Sequence, residues 1–332
     1  MLMKVVIDRA IPFIKGVLEP FAEVVYADGI NFSREIVADA DALIIRTRTK
    51  CNAALLESSK VRIIATATIG FDHIDLDYCK EHGIEVATAA GCNARGVLQW
   101  VSAVLAYFSK QKGYSPKQKT LGIVGVGNVG SIVKEYAENW GFKTICCDPP
   151  RKLREGGDFV SLEEVLASAD IVTLHTPLDS TTRGMINSTT IQQLKHNAIL
   201  INASRGEVAE SQALLREDLT LAIDVWEHEP NIDQNVLQKA VISTPHIAGY
   251  SLQGKANASA LAVKAVAKHL NLPLTEWYPE GVERVAPKEL SWQEMVDSIE
   301  SYCNIVKESA PLKKGESFEV LRDNYNYRKE YF

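Results

Sequence analysis

Apolar and polar positions along the chain fall into two alternating series. From Lys4 to about Val86, short apolar runs (Val5-Val6-Ile7, Ala42-Leu43-Ile44-Ile45, Val61 to Ile64, Ile84 to Val86) are separated by stretches of mixed, helix-like period. That pattern predicts a small parallel α/β domain. A second series places strands at Leu121 to Val126, Thr144 to Cys147, Ile171 to His175, Ala198 to Asn202, Leu219 to Asp224 and Val241 to Ser243, with helical segments between most of them. It predicts a doubly wound sheet with right-handed crossovers.

Between the two series, Val97, Leu98, Trp100, Val101, Val104, Leu105 and Phe108 recur at intervals of three and four, as in a linking helix. The polar stretch Gln111 to Lys119, with Gly113 and Pro116, leads from it into the second domain. An alanine-rich helix from about Lys255 to Leu270 should return the chain to the first domain, making that domain discontinuous. Beyond Pro273 and Pro287, Ser291-Trp-Gln-Glu294 is a capping box for a helix carrying Trp292, Met295, Val296, Ile299, Cys303 and Val306 on one side. A tail this short cannot bury a core alone and is expected to pack on the body or on a second copy. The expected architecture is therefore α/β, with two doubly wound parallel-sheet domains and a short C-terminal α-rich extension. The boundaries are 1–93 with 266–285 (flavodoxin-like), 94–265 (Rossmann) and 286–332 (a dimerisation element).

Composition narrows the function. With 332 residues, 46% of them hydrophobic and 23% charged, the chain can build two or three cores. Its net charge of -6, with both signs interspersed, predicts neither a nucleic-acid partner nor an anionic membrane. The apolar run before Asp8 and Arg9 is too short for a signal peptide or a membrane span, so cytoplasm is expected. Six cysteines without C-x-x-C spacing or paired histidine ligands predict reduced thiols and no metal.

The chemistry lies in separated motifs. Gly125-Val-Gly127-Asn128-Val129-Gly130 follows a predicted buried strand and opens a predicted helix, the context in which G-x-G-x-x-G cradles a dinucleotide pyrophosphate. Asp148, 18 residues past Gly130 at the end of the next strand, can accept from both adenosine ribose hydroxyls and so favours NAD over NADP, although Arg151, Lys152 and Arg154 weaken that exclusion. Thr176 ends another strand, where ligands of open α/β sheets gather. His246, in Thr244-Pro-His-Ile-Ala-Gly249, is the best placed of seven histidines for a general base. Glu229 could orient it, and Arg205, in Asn202-Ala-Ser-Arg-Gly206, could bind a substrate carboxylate and polarise the reacting oxygen. Singly, these are an ordinary loop histidine, helix terminus and turn; the ordered trio beside a dinucleotide fold reads as a hydride-transfer site. Arg46-Thr47-Arg48 and Thr68, at strand ends of the first domain, and Tyr250 offer donors for a second anionic group. Arg46 and Arg48, two apart on an extended segment, are expected on one face.

The glycine turn and the Arg205 and His246 motifs together resemble the D-isomer-specific 2-hydroxyacid dehydrogenases, over roughly residues 1 to 285. The resemblance implies NAD as cofactor, substrate-carboxylate binding by Arg205, histidine orientation by Glu229, acid-base catalysis by His246, and contacts from Asp224 and Gly249 to the nicotinamide side. Thr66-Ala-Thr-Ile-Gly-Phe-Asp-His73, Gly91-Cys-Asn-Ala94, Cys147-Asp-Pro-Pro150, His246-Ile-Ala-Gly-Tyr-Ser251 and, in the tail, Ala310-Pro-Leu-Lys-Lys314 with Phe318-Glu-Val-Leu-Arg-Asp-Asn-Tyr325 are narrower signatures. They imply a small phosphorylated 2-hydroxy acid as substrate, touched by Thr47, Thr68 and Tyr250, and a homodimer, whose contact is expected through the helix around Ala94 to Phe108 and through the tail. Glu207 and Glu210 depart from the pattern, which has smaller residues and an aspartate there, and the chain stops at Phe332, sooner than longer members. Two alternatives remain: a dehydrogenase for another D-2-hydroxy acid such as 3-phosphoglycerate or glycerate, and an NAD-responsive corepressor-like binding protein on the same fold.

Overall fold

In the computed structural model, which describes residues 3–332, the first sheet contains β1 (Lys4–Asp8), β2 (Glu23–Ala27), β3 (Ala42–Ile45), β4 (Ile63–Thr66) and β5 (Glu85–Thr88). Their order is β2-β1-β3-β4-β5 and every pairing is parallel, with Val6 opposite Leu43 and Leu43 opposite Ile64. This is the flavodoxin-like winding. Strands β3 and β4 are buried at every position because both sheet faces are covered. Val5, Ile7 and Ile44 pack to one side, and Val6, Leu43 and Ile45 to the other. The edge strand β2 has no counterpart in the sequence pattern, since only Ala27 of its five residues is buried and it lacks the continuous apolar run of its neighbours.

The second sheet contains β6 (Thr120–Val124), β7 (Lys143–Cys147), β8 (Ile171–Leu174), β9 (Ile199–Asn202), β10 (Thr220–Ile223) and β11 (Ile242–Ser243), in the parallel order β11-β10-β9-β8-β6-β7. A single bridge from Phe159 to Cys146 extends it beyond β7. With Phe159 counted as a one-residue third strand, the winding is the Rossmann order. The chain reverses direction at β6, between β7 and β8, so the ligand crevice of such a sheet opens at the carboxyl ends of β6 and β8.

The chain divides into two compact units, one ending at Asn93 and resuming over Leu252–Arg284, the other comprising Ala94–Ser251 and Val285–Phe332. The boundary expected at 266 is therefore wrong. A single helix, Leu252–Leu270, runs across that point, and its buried stripe Ala262, Val263, Val266, Ala267 and Leu270 packs on Val5, Ile7, Ile44 and Ile63. The whole helix goes with the first sheet.

The tail, bounded in the sequence as a piece of its own, packs on the body and belongs to the second unit. Ser291 forms the expected capping box with Glu294 and opens the helix Trp292–Tyr302, whose Met295, Val296 and Ile299 join the core formed by the linking helix Ala94–Lys112. Leu312 and Phe318 reach the core on the other side of the sheet. Val306 is not on the first tail helix; that helix stops at Cys303, and Val306 lies exposed on the next one, Ile305–Lys313, which Asn304 caps. Among the described residues all six cysteines are free and buried, no helix is long and apolar enough to cross a membrane, and no cluster of three potential metal ligands occurs.

Candidate active site

The glycine turn joins β6 to the helix Asn128–Asn139, and its three glycines meet different constraints. Gly125 has φ +84°, and a Cβ there would lie 2.8 Å from the His175 carbonyl. At Gly130 a Cβ would sit 2.0 Å from the Gly125 carbonyl oxygen, so only glycine lets the helix pack this close to the strand. Gly127 caps the helix, and nothing lies within 4 Å of where its Cβ would be. An open approach to backbone amides at a helix N-terminus suits a pyrophosphate, with Asn128 and Val129 supplying first-turn amides.

Asp148 stands at the end of β7 and does two local jobs. One carboxylate oxygen accepts from the Val126 amide at 2.8 Å and the other caps Arg151 N at 2.9 Å. Arg151 in turn donates to the Val126 carbonyl at 2.7 Å and pairs with Glu155. The bonds that cap the helix thus also hold the glycine turn, and a carboxylate with about four acceptor sites retains room for ribose hydroxyls. At the end of β8, Thr176 Oγ1 and His175 Nδ1 are buried without a partner in the protein. Burial pushes the His175 imidazole down to about 3, so the ring is neutral at physiological pH. Orphaned polar atoms beside an open glycine turn fit a dinucleotide.

The loop after β11 is held from several sides. His246 has φ +58°, and its amide donates to the Asp224 carbonyl at 2.7 Å. The Asp224 carboxylate accepts from Ile247 N at 2.8 Å, Ala248 N at 2.9 Å and Thr244 Oγ1 at 2.6 Å. Burial pushes that carboxyl up, against the pull of His246 and of these donors. Asp224 is 1% exposed, beneath the loop, where it orders the backbone around His246. The family resemblance implies a nicotinamide contact for it instead.

His246 Nδ1 meets Glu229 Oε2 at 2.8 Å, and Glu229 Oε1 accepts from Trp226 N at 2.9 Å. Burial works to raise the Glu229 carboxyl, but the charge and hydrogen bond of His246, the Trp226 amide and the charge of Arg322 hold it below its usual value. An ionised carboxylate on Nδ1 keeps the proton there and leaves Nε2 as the basic nitrogen. Arg205 follows β9 and donates to the Ser204 carbonyl at 2.8 Å, while Asn202 Nδ2 donates to the Arg205 carbonyl at 3.0 Å. A Cβ at Gly206 would lie 1.9 Å from the Trp226 carbonyl carbon, so this glycine lets the Arg205 loop lie directly on the loop that carries Glu229. The structure thus gathers Arg205, Glu229, His246 and Asp224 at neighbouring strand ends of one unit.

In the first unit, Arg46, Thr47 and Arg48 follow β3 and Thr68 follows β4. The three form a turn closed by the Thr49 amide on the Arg46 carbonyl at 3.2 Å, so the alternation expected of an extended segment does not apply. Arg46 donates to the Ala10 carbonyl at 3.3 Å, Thr47 and Arg48 are exposed, and Thr68 Oγ1 is 2.6 Å from Thr66 Oγ1.

Two tail residues reach the His246 loop with no role assigned to them from the sequence. Arg328, 8% exposed, donates to the carbonyls of Ala248, Ile247 (3.3 Å) and Gly96 (3.1 Å) and to Tyr325 Oη (2.8 Å), with Glu308 at 3.5 Å. The His246 loop is therefore gripped through its amides by Asp224 and through its carbonyls by Arg328. Arg322 Nε donates to Tyr250 Oη at 2.9 Å. Arg328 lies outside any motif; Arg322 falls within the narrower tail signature Phe318 to Tyr325, but nothing in that stretch by itself marks its partner.

Comparison with known proteins places the chain in a family. The family described as D-isomer specific 2-hydroxyacid dehydrogenase, NAD binding domain, matches residues 94–248. Over 340 aligned residues the chain is 43% identical to erythronate-4-phosphate dehydrogenase of Bacteroides thetaiotaomicron, covering 99% of this chain and 97% of that one. The protein of the same name from Ectopseudomonas mendocina is 37% identical, covering 99% and 93%. Among solved structures, the NAD+-bound 3-phosphoglycerate dehydrogenase of Entamoeba histolytica is 29% identical, with a TM-score of 0.69 over 82% of this chain and 96% of that one.

Proposed function

Because the chain belongs to the D-isomer specific 2-hydroxyacid dehydrogenase family and is an NAD-dependent dehydrogenase, we propose that it oxidises 4-phospho-D-erythronate to (R)-3-hydroxy-2-oxo-4-phosphobutanoate in pyridoxal 5'-phosphate biosynthesis. The observation that carries the choice of substrate is the extent of the likeness to erythronate-4-phosphate dehydrogenases. The family match ends at residue 248, whereas theirs spans 99% of the chain and so takes in most of the tail.

In this reading His246 Nε2 takes the C2 hydroxyl proton, and Glu229 compensates the imidazolium that forms. Arg205 binds the substrate carboxylate and polarises the C2 oxygen. Bound NAD supplies the acceptor for the hydride that leaves C2. Gly125, Gly127, Asn128, Val129 and Gly130 hold its pyrophosphate, Asp148 its adenosine ribose, and Thr176 and Gly249 line the remainder. Asp224 acts from beneath, by ordering the loop. Arg46, Thr47, Arg48, Thr68 and Tyr250 take the hydroxyl and phosphate oxygens of the substrate. We place the protein in the cytoplasm, where six buried free thiols would remain reduced. It acts as a homodimer whose contact involves the tail, where Val306 and Val320 are exposed, and not the linking helix, which its own unit already buries.

The test is NAD reduction by the purified protein with 4-phospho-D-erythronate, 3-phosphoglycerate and D-lactate in parallel, with a 2-oxo acid added to turn over any retained NADH. A preference for the four-carbon phosphate is expected; equal use of the three would overturn the assignment of substrate.

A further inference from the structure

Arg322 lies near the end of the helix Phe318–Asp323 and turns back onto the loop that carries His246. Its Nε bonds to Tyr250 Oη at 2.9 Å, and its guanidinium carbon is 5.8 Å from the centre of that ring. Tyr250 closes the turn that follows His246, its amide donating to the Ile247 carbonyl at 2.8 Å. The ring is braced edge-on by Tyr325 and Tyr327, each with its centre 6.1 Å away. The phenol is therefore a fixed element, held by three tail side chains.

A guanidinium is permanently charged and carries five N–H donors, and a half-buried one calls for an anion. Arg328, in the same tail, has Glu308 at 3.5 Å. Among the described residues no carboxylate makes an ion pair with Arg322, and its hydrogen bond is to the neutral phenol. Its charge is felt by Glu229 and Asp224, the two carboxylates around the His246 loop. Tyr250 Oη accepts from Nε, which leaves the two terminal nitrogens of the Arg322 guanidinium as donors next to a hydroxyl. That is the chemistry of a phosphate site, in which the three terminal oxygens accept from an arginine fork and a hydroxyl.

We propose that Arg322, together with Tyr250, binds the terminal phosphate of the substrate, so that the C-terminal tail supplies a specificity-determining residue to the active site. The proposal rests on the reading of the substrate as a phosphorylated 2-hydroxy acid. It gives the tail a role in recognition separate from the pairing of subunits.

The experiment compares the wild type with Arg322→Gln and Arg322→Lys, using 4-phospho-D-erythronate and unphosphorylated D-erythronate. Arg322→Gln should raise KM for the phosphorylated substrate at least about tenfold more than for D-erythronate, and leave NADH affinity unchanged. Arg322→Lys, which keeps the charge without the fork, should fall between, and it carries the test alone if the glutamine variant does not fold. Equal losses on both substrates, or an unchanged KM, would overturn the proposal. Should the wild type show no preference for the phosphorylated acid, the assignment of substrate fails by itself. Calorimetric titration with inorganic phosphate then judges the arginine separately: binding at least about tenfold weaker in Arg322→Gln sustains it, and equal binding refutes it.

Discussion

At the scale of single residues, the site depends on a histidine held in a left-handed conformation by bonds on either side of it. His246→Ala removes the base but touches nothing at the glycine turn. Turnover should fall by at least about a thousandfold while NADH affinity, read by fluorescence titration, stays within about twofold. Retained turnover would remove His246 from its role. Glu229 makes a further prediction through acidity. Its carboxyl is held below the usual value in the folded protein, so the stability it contributes is complete above the ordinary carboxylate range and is lost as pH falls through the folded value. Melting temperature should therefore drop more steeply below about pH 4 in the wild type than in Glu229→Gln, which has no such group to protonate. Parallel curves would show that the His246 contact adds nothing to stability.

At the scale of elements, the turns matter more than the helices they join. Gly130 can be read from sequence as the third glycine of a motif, but what makes it indispensable is packing: any Cβ at that position would come within 2.0 Å of the Gly125 carbonyl oxygen. Gly130→Ala must shift the helix off β6, and NADH binding should weaken by at least about tenfold. The grip of Arg328 on the carbonyls of Ile247 and Ala248 is the element-scale counterpart of Asp224. Arg328→Met would strip the Ala248 carbonyl and Glu308 of their charged donor, leaving the Ile247 carbonyl only the Tyr250 amide and Glu308 only Tyr325 Oη at 2.9 Å among strong donors, a loss of about 3 kcal/mol in chemical denaturation. Strands are legible in the sequence wherever both faces are buried, as in β3 and β4, and the capping box Ser291 to Glu294 is legible because its bonds are local. The edge strand β2 is not, since it is defined by pairing with β1 and not by an apolar run of its own.

At the scale of the molecule, the tail is part of the second unit and not an appendage. Phe332 is fully buried, with its ring centre 5.3 Å from that of Tyr136 and 6.2 Å from that of Trp140. Phe332→Ala should cost about 3 to 5 kcal/mol of unfolding free energy, measured by denaturant titration; a change under about 1 kcal/mol would mean that the chain end does not pack there. The sequence by itself determined the two parallel α/β windings, the glycine turn, and the order Arg205, Glu229, His246. These follow from local period and from residue types whose chemistry has few other uses in that arrangement. Tertiary structure decided that the helix Leu252–Leu270 goes whole to the first sheet, that Asp224 lies beneath its loop, and that Arg322 and Arg328 return from the tail to the residues following His246. The physical reason is separation along the chain. A hydrogen bond between residues 72 or 81 positions apart, such as Arg322 to Tyr250 or Arg328 to Ile247, leaves no periodic trace in either segment and exists only once the packed core has brought them together.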